Sequence, residues 1–279
     1  MTETATRTIG TEMAAPTLPF YVLKAMAHAK HLPPDHADWK IDRLSRSNPI
    51  YRVTTPVGSW IIKQPVHPTR ELMVSRLFTA MGIPCFAIEP LSAGWLLFED
   101  LQRPNLKEYL QSGKARLTSQ LFEQLGTVAM QSDLVGMRDR KMNNVLVREN
   151  TGPRGMELII VDYEGAFAAG WVDRFIRPHR YITYLTTRLF FDVIHAVGDD
   201  AESQGLLDSH ELLTCFHTGM LNEQARINER VADLSQLNQR LTSRQQLVLK
   251  SRIIRPEKLT RCLERGLARA ERKTRDSDE

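Results

Sequence analysis

The sequence predicts an α+β protein in two parts, a small strand-rich N-terminal part and a larger, mainly helical C-terminal part. Three observations support this. In the first hundred residues, short β-branched or aromatic runs such as 51–55 and 59–63 alternate with turns that contain Pro or Gly. After about residue 105 most apolar residues recur at helical spacing. Two short strands, 145–147 and 158–161, interrupt the helical part and flank a turn-rich segment.

Each element follows from its own local pattern. The helix at 69–81 has apolar residues on one face and ends at Gly82 and Pro84, and the later segment 221–241 carries Ile and Leu residues at spacings of three and four. The expected elements before residue 101 are a helix at 20–31, strands at 51–55 and 59–63, the helix at 69–81 and strands at 88–91 and 94–98. We therefore expect a disordered lead-in at 1–19, an N-terminal lobe at 20–100 and a C-terminal lobe at 101–279.

Composition excludes several classes of protein. The 279 residues are 42% hydrophobic and 25% charged, which suffices for a proper core, and the net charge of +4 favours anionic partners without identifying one. The apolar runs are too short for a signal peptide or a membrane span, so a soluble, cytoplasmic protein is expected. The three cysteines have no metal-ligand spacing, and neither an H-E-x-x-H nor a G-x-S-x-G motif occurs.

The residues that suggest chemistry lie around the embedded strand pair. Asp139 and Asn144 are five residues apart in the loop before the first strand, and Asp162 comes directly after the second strand. A hairpin would bring Asn144 and Asp162 close together on one rim. Carboxylate and amide oxygens are ligands that suit Mg²⁺, which is usually held by one or two carboxylates together with substrate phosphates. The pattern therefore predicts a magnesium site for phosphoryl transfer.

These stretches resemble the protein-kinase-like superfamily. The sequence GTVAMQSDLVGMRDRKMNNVLV, at 126–147, is similar to the phosphoinositide 3-/4-kinase and HipA-type branch, in which a helix runs into D-R-x-x-x-N. SNPIYRVTT at 47–55 and VDYEGAF at 161–167 are more similar to the aminoglycoside and choline kinase branch, and LLFEDL at 96–101 resembles an interlobe hinge. The resemblance covers residues 40–170 and implies a bilobal kinase-like fold that uses ATP and Mg²⁺.

The resemblance also implies roles for individual residues. Asp139 would orient or deprotonate the acceptor hydroxyl, while Asn144 and Asp162 would hold Mg²⁺; the neighbouring Asn143 is the alternative ligand. The remaining implied roles are neutralisation of the γ-phosphate by Lys141, phosphate binding by Lys63, an ion pair from Glu71 to Lys63, and nucleotide binding by Asn48, Glu99 and Leu101.

The sequence departs from the superfamily pattern in three places. No G-x-G-x-x-G loop precedes Tyr51, so the stretch 44–49 would have to cover the phosphates with backbone N–H groups. Met137 and Arg138 stand before Asp139, where many kinases have a His, and Tyr163-Glu164 replaces the usual Phe-Gly. None of these differences removes a predicted metal ligand. Glu164 could support the metal site or cap the next segment.

The expected function is an ATP- and Mg²⁺-dependent kinase that phosphorylates a hydroxyl. Lys141 favours a protein Ser/Thr acceptor, with a lipid or inositol headgroup as the next choice. Two alternatives stay open, a small-molecule kinase of the aminoglycoside or choline type and a non-catalytic nucleotide-binding pseudokinase scaffold. In addition, residues 251–275 contain nine Lys or Arg against three Glu. This basic amphipathic segment either packs on the helical part or binds an acidic partner or anionic surface.

Overall fold

The computed structural model describes most of the chain up to residue 167 and part of the remainder. The described residues are 17–33, 38–45, 48–112, 117–137, 141–149, 155–167, 189–190, 192–194, 196, 209–231, 246, 257, 259–261 and 264. Three predictions lie wholly or largely outside this set: the lead-in up to residue 16, the catalytic-loop residue Asp139 and most of the basic segment 251–275.

The chain divides into two compact units, which are described separately. The first unit comprises residues 1–65 and 89–100, and the second comprises 66–88 and 101–279. The helix between the third and fourth strands therefore belongs to the second unit, although it lies early in the sequence.

A five-stranded sheet dominates the first unit. Its order is β1-β2-β3-β5-β4, and the pairs β1–β2, β2–β3 and β3–β5 are antiparallel. Strand β2 alternates strictly between half-buried and buried residues, as expected when one face of a sheet covers a core. The strands are β1 (Lys40–Arg43), β2 (Ile50–Thr55), β3 (Gly58–Lys63), β4 (Ile88–Pro90) and β5 (Leu96–Glu99).

Helix α1 (Phe20–Ala29) covers this sheet. Its spacing of apolar residues places Val22, Leu23 and Met26 on one buried face, as an amphipathic helix requires. They pack in one cluster with residues of the sheet and with Leu18, which lies within the predicted lead-in. The other members of this cluster are Tyr51, Val53, Ile62 and Leu97 of the sheet and Trp95, which directly precedes β5.

In the part of the second unit that the structure describes, there are helices and one β-hairpin. Helices α4 and α5 cross at two glycines, Gly126 and Gly219, where a Cβ atom would lie only 2.0 Å and 1.9 Å from a backbone carbonyl oxygen of the other helix. The elements are α2 (Pro68–Ala80), α3 (Leu106–Gln111), α4 (Ser119–Leu134), β6 (Val145–Glu149), β7 (Met156–Ile160) and α5 (Ser209–Val231).

The predicted α+β class is confirmed, with a strand-rich N-terminal region followed by a helical region. The strands and helices expected before residue 165 are present, with ends that differ by a few residues. Strand β1 was not predicted, because its sequence KIDR is polar and half of it is exposed. The later helix begins at Ser209, earlier than the expected 221, and is described as far as Val231. No helix among the described residues has the length and apolar character to cross a bilayer.

Candidate active site

The β6–β7 hairpin brings Asn144 and Asp162 to adjoining chain positions. Val145 at the start of β6 lies opposite Ile160 at the end of β7. One residue beyond this pair, the Val161 N–H donates a hydrogen bond of 2.9 Å to the backbone carbonyl of Asn144. Asp162 is therefore the next residue after the one that bonds to Asn144. The two predicted metal ligands lie on one rim of the hairpin, as the sequence suggested.

A 3₁₀ turn at Met142–Asn144 leads into β6 and fixes Asn144 locally. The Asn144 N–H donates to the Lys141 carbonyl at 2.9 Å, so the predicted phosphate-neutralising lysine begins the same turn. Lys141 is exposed and Asn144 is half-buried. Further along the hairpin, the Val147 N–H donates to the Pro104 carbonyl at 3.0 Å, which attaches β6 to the segment that begins α3.

Asp162 has an uncommon backbone conformation. Its φ of 63° and ψ of 71° lie in the left-handed region. Asp tolerates this region better than most residues because its short polar side chain can bond locally, but the conformation still costs energy and persists only where neighbouring contacts hold it. The side chain is exposed at the end of the hairpin. An uncommon backbone conformation at an exposed polar residue directly after a strand supports the hypothesis that this residue has a function.

Glu71 on α2 bonds to the residue that follows Asp162. Its side chain is fully buried, and Oε2 accepts a hydrogen bond of 3.0 Å from the backbone N–H of Tyr163. Sequence reasoning proposed Glu71 as the ion-pair partner of Lys63, and that pair stays a prediction. It missed the contact with Tyr163, because the two residues are 92 positions apart and no local pattern relates them.

The Tyr163 ring occupies an aromatic pocket. It stacks on Phe86, with centroids 5.3 Å apart and planes 6° apart, and meets the edge of Phe78 at 5.5 Å. Burial raises the pKa of the phenol well above its usual value, and the nearby Cys85 and Glu71 add to this effect. The hydroxyl has no hydrogen-bond partner among the described residues. Tyr163 therefore acts in packing, as a large buried ring directly after the strained aspartate.

Glu164 forms a second connection to the start of α2. Its Oε1 atom accepts a hydrogen bond of 2.5 Å from the Val66 N–H, and its backbone carbonyl accepts one of 3.4 Å from Arg70 Nη1. The sequence left open whether Glu164 supports the metal site or caps the next segment. The observed bonds show that it links the turn after Asp162 to the residues around the N-terminus of α2.

The residues predicted to bind nucleotide occupy strand ends and a loop. Lys63 is the last residue of β3, is buried to 8% exposure, and lies opposite Leu96 of β5. Asn48 is exposed in the loop between β1 and β2, where its N–H donates to Ser45 Oγ at 3.2 Å. Glu99 is the exposed final residue of β5, and Leu101 is the first residue of the second unit after it.

Sequence reasoning missed Asp100, which lies between Glu99 and Leu101. Its carboxylate is 5% exposed, and Oδ2 accepts hydrogen bonds from Ser59 Oγ at 2.7 Å and Arg52 Nε at 2.8 Å. This network fixes the end of β5 against β2 and β3. The only feature of the sequence that pointed to Asp100 was its position as an acidic residue directly after an apolar strand. This position alone does not show whether the carboxylate bonds to other side chains or is solvated in a turn.

The described donor atoms are compatible with Mg²⁺. Among the described residues, no group of three or more His, Cys, Asp or Glu side chains could hold a metal. Mg²⁺ does not require such a group, because one carboxylate, one amide oxygen, water and phosphate oxygens complete its shell. Asp162 and Asn144 are the residues that would hold it.

Comparisons with known proteins give structural matches only. No family model matches the chain, and no curated protein matches its sequence. Among solved structures, the Helicobacter pylori proinflammatory kinase CtkA matches with a TM-score of 0.40 and 8% identity, over 85% of this chain and 98% of that one. Rio2 kinase from Chaetomium thermophilum, in a complex described as ADP/Mg²⁺-phosphoaspartate, matches with a TM-score of 0.43 and 14% identity, over 76% of this chain and 75% of that one.

A third match is the ethanolamine kinase of Plasmodium vivax, with a TM-score of 0.36 and 9% identity, over 81% of this chain and 84% of that one. All three similar proteins are kinases. Similarities of this size add nothing to the assignment of individual residues, which depends on the local geometry.

Proposed function

We propose that this protein is an ATP- and Mg²⁺-dependent kinase that transfers the γ-phosphate to a hydroxyl group. The observation that carries the proposal is the hydrogen bond from the Val161 N–H to the Asn144 carbonyl, because it brings Asn144 and Asp162, whose backbone lies in the left-handed region, to one end of the hairpin. A paired amide and carboxylate at this position are the two metal ligands that the chemistry of a kinase requires.

The remaining roles follow from residue chemistry. Lys63 supplies a cation for the α- and β-phosphates, and Asn48 lies in the loop proposed to cover them; Glu99 and Leu101 provide nucleotide contacts after β5. Bound Mg²⁺ would neutralise phosphate charge. The acceptor oxygen then forms a bond to the γ-phosphorus while the bond from that phosphorus to the bridging oxygen of ADP breaks. Asp139 receives the hydroxyl proton, and Lys141 stabilises negative charge on the transferred group.

Substitution of the proposed ligands tests catalysis directly. Asp162→Ala and Asp139→Ala are each expected to reduce transfer of label from γ-labelled ATP by at least about 1,000-fold, because Asp162 would hold the Mg²⁺ that neutralises phosphate charge and Asp139 would accept the hydroxyl proton. Asp42→Ala is a matched control, because Asp42 is a carboxylate on β1 that pairs with the exposed Lys40. Wild-type-like label transfer by Asp162→Ala would contradict the metal-ligand role.

The acceptor requires a separate experiment. Lys141, at the start of the turn that contains Asn144, favours a protein hydroxyl, and a lipid or inositol headgroup is the next candidate. A panel of generic protein substrates, phosphoinositides, choline analogues and aminoglycosides, each with labelled ATP, separates these classes from the small-molecule alternative. Nucleotide binding without turnover of any acceptor, with several divalent metals, would instead favour the pseudokinase scaffold.

A further inference from the structure

The turn after Asp162 has a side chain where the kinase motif has none. In the D-F-G sequence of protein kinases the third residue is Gly. This chain has Glu164 at that position, and its carboxylate accepts the Val66 N–H at 2.5 Å. A glycine could not make this bond. The contact therefore has no counterpart in the D-F-G motif, in which the third residue has no side chain.

The strained backbone at Asp162 is held from both sides. On the N-terminal side, the Val161 N–H bonds to the Asn144 carbonyl. On the C-terminal side, the Tyr163 N–H bonds to buried Glu71, and Glu164 bonds to Val66 through its carboxylate and to Arg70 through its carbonyl. A non-glycine residue with φ of 63° keeps this conformation only where hydrogen bonds on both sides hold it, because the left-handed conformation costs roughly 1–2 kcal/mol.

We infer that Glu164 is a positioning residue that fixes Asp162 in its metal-binding orientation by attaching the turn at 163–165 to the N-terminal end of α2. This inference rests on the proposed function for the role of Asp162. Glu164 acts through the backbone and binds no metal itself. Its Oε1 atom is engaged by Val66, and its main chain is engaged by Arg70. Two separate measurements test whether Glu164 holds the turn and whether this holding affects Mg²⁺ binding.

The first measurement uses the protein without nucleotide or metal. Hydrogen–deuterium exchange is followed at the amides of Val66 and Tyr163 in wild type and in Glu164→Ala. Both amides are expected to exchange about tenfold faster in the variant. Loss of a hydrogen bond to a charged group raises the population of the locally open state by about this factor. Unchanged exchange at the Tyr163 amide would overturn the positioning role of Glu164, even if the variant loses kinase activity.

The second measurement is the Mg²⁺ concentration that half-saturates binding of a fluorescent ATP analogue. Glu164→Ala is expected to raise it at least about tenfold, as loss of a residue that orients a metal ligand does. Glu164→Gln keeps an oxygen acceptor for Val66 and should stay within about threefold of wild type by the same argument. Equal losses in the Ala and Gln variants would mean that the charge binds metal directly, which overturns the inference.

Glu157→Ala is the matched control for both measurements. Glu157 lies on β7 of the same hairpin, and its carboxylate accepts a hydrogen bond of 2.8 Å from Arg148. Glu157→Ala also removes an acidic side chain that accepts a hydrogen bond. It should change neither the exchange rate of the Tyr163 amide nor the Mg²⁺ concentration that half-saturates nucleotide binding. If the wild type shows no Mg²⁺-dependent nucleotide binding, the proposed function fails, while the exchange data still decide whether Glu164 holds the turn.

Discussion

At the scale of single residues, Tyr163 combines a favourable ring with an unfavourable hydroxyl. The ring packs between Phe78 and Phe86, but the hydroxyl is buried without a partner among the described residues. A buried unsatisfied polar group costs about 1–3 kcal/mol. Tyr163→Phe is therefore expected to leave the free energy of unfolding unchanged or to raise it by about 1 kcal/mol, as measured by urea denaturation.

Tyr163→Leu serves as the comparison for this prediction, because it removes the aromatic contacts together with the hydroxyl. We expect it to lower the free energy of unfolding by about 1–3 kcal/mol through a smaller, differently shaped side chain. A loss of more than about 1 kcal/mol in Tyr163→Phe would show that the hydroxyl makes a hydrogen bond worth keeping.

His217 on α5 gives the protein a specific pH dependence. Burial lowers the pKa of this histidine from 6.5 to about 4 in the folded state. Because the unfolded chain binds the proton first as the pH falls, the stability contributed by neutral His217 is lost between about pH 6.5 and pH 4. The free energy of unfolding should change by at most about 1.4 kcal/mol per pH unit through His217, and partial exposure of the ring reduces this value.

His217→Gln removes this titration and keeps a polar side chain. The difference in free energy of unfolding between the wild type and the variant should shift in favour of the variant as the pH falls from 6.5 to 4. Glu223, on the same helix, has its pKa raised by burial, so its effect on stability over this acidic range has the opposite sign. Both proteins contain Glu223, and the difference isolates His217. A constant difference across this range would show that the histidine titrates normally.

The neighbourhood of two residues was predictable from sequence where one local motif contained both. Asn144 and Asp162 could be paired because a short hairpin joins them, and two short apolar runs on either side of a turn-rich segment predict such a hairpin. The contacts of Glu71 with Tyr163 and of Asp100 with Arg52 and Ser59 could not be predicted, since each joins residues more than 40 positions apart. Such contacts depend on tertiary packing, and a single sequence carries no local signal for them.

At the scale of elements, the crossing of α4 and α5 depends on the absence of two side chains. A Cβ at Gly126 would meet the Phe216 carbonyl oxygen at 2.0 Å, and one at Gly219 would meet the Glu123 carbonyl oxygen at 1.9 Å. Both obstacles are backbone atoms, which cannot turn aside as a flexible side chain can. Gly126→Ala and Gly219→Ala are each expected to destabilise the fold by about 1–3 kcal/mol or more, in spite of alanine's better helix propensity.

The double variant tests whether the two glycines serve one contact. If the first alanine already separates the helices, the second should cost less, and the two losses should sum to more than the loss in the double variant. Thr218→Ala is the control, because Thr218 is exposed on α5 next to Gly219. Additive losses would show that the two glycines serve separate contacts, and a stabilised Gly126→Ala would contradict a close helix crossing. Free energies of unfolding from urea titration decide the outcome.

Element prediction succeeded where burial follows a simple period. Strand β2 alternates between half-buried and buried residues, and helix α1 buries one face, so their buried residues recur at spacings of two and of three to four. Strand β1 lacks this signal because it lies at the edge of the sheet and pairs with β2 alone. Its charged residues suit an edge strand, and they made it look like a loop in the sequence.

At the scale of the whole molecule, nucleotide binding should appear as a gain in stability that depends on Mg²⁺. A ligand that binds only the folded state at 100 times its Kd stabilises that state by about 2.7 kcal/mol. ATP with Mg²⁺ should therefore raise the thermal unfolding midpoint, and ATP with EDTA should raise it less, because in the proposed function Asp162 and Asn144 bind phosphate only through the cation.

Lys63→Met tests whether this stabilisation depends on the proposed phosphate contact. Lys63 is buried at the end of β3, so the substitution can change the stability of the free protein, and the measured quantity is the shift produced by Mg²⁺-ATP within each variant. That shift should shrink strongly in Lys63→Met and stay at the wild-type value in Lys40→Met, because Lys40 is exposed on β1. An equal shift in all three proteins would mean that ATP binds without Lys63, and the nucleotide site would have to be sought elsewhere in the chain.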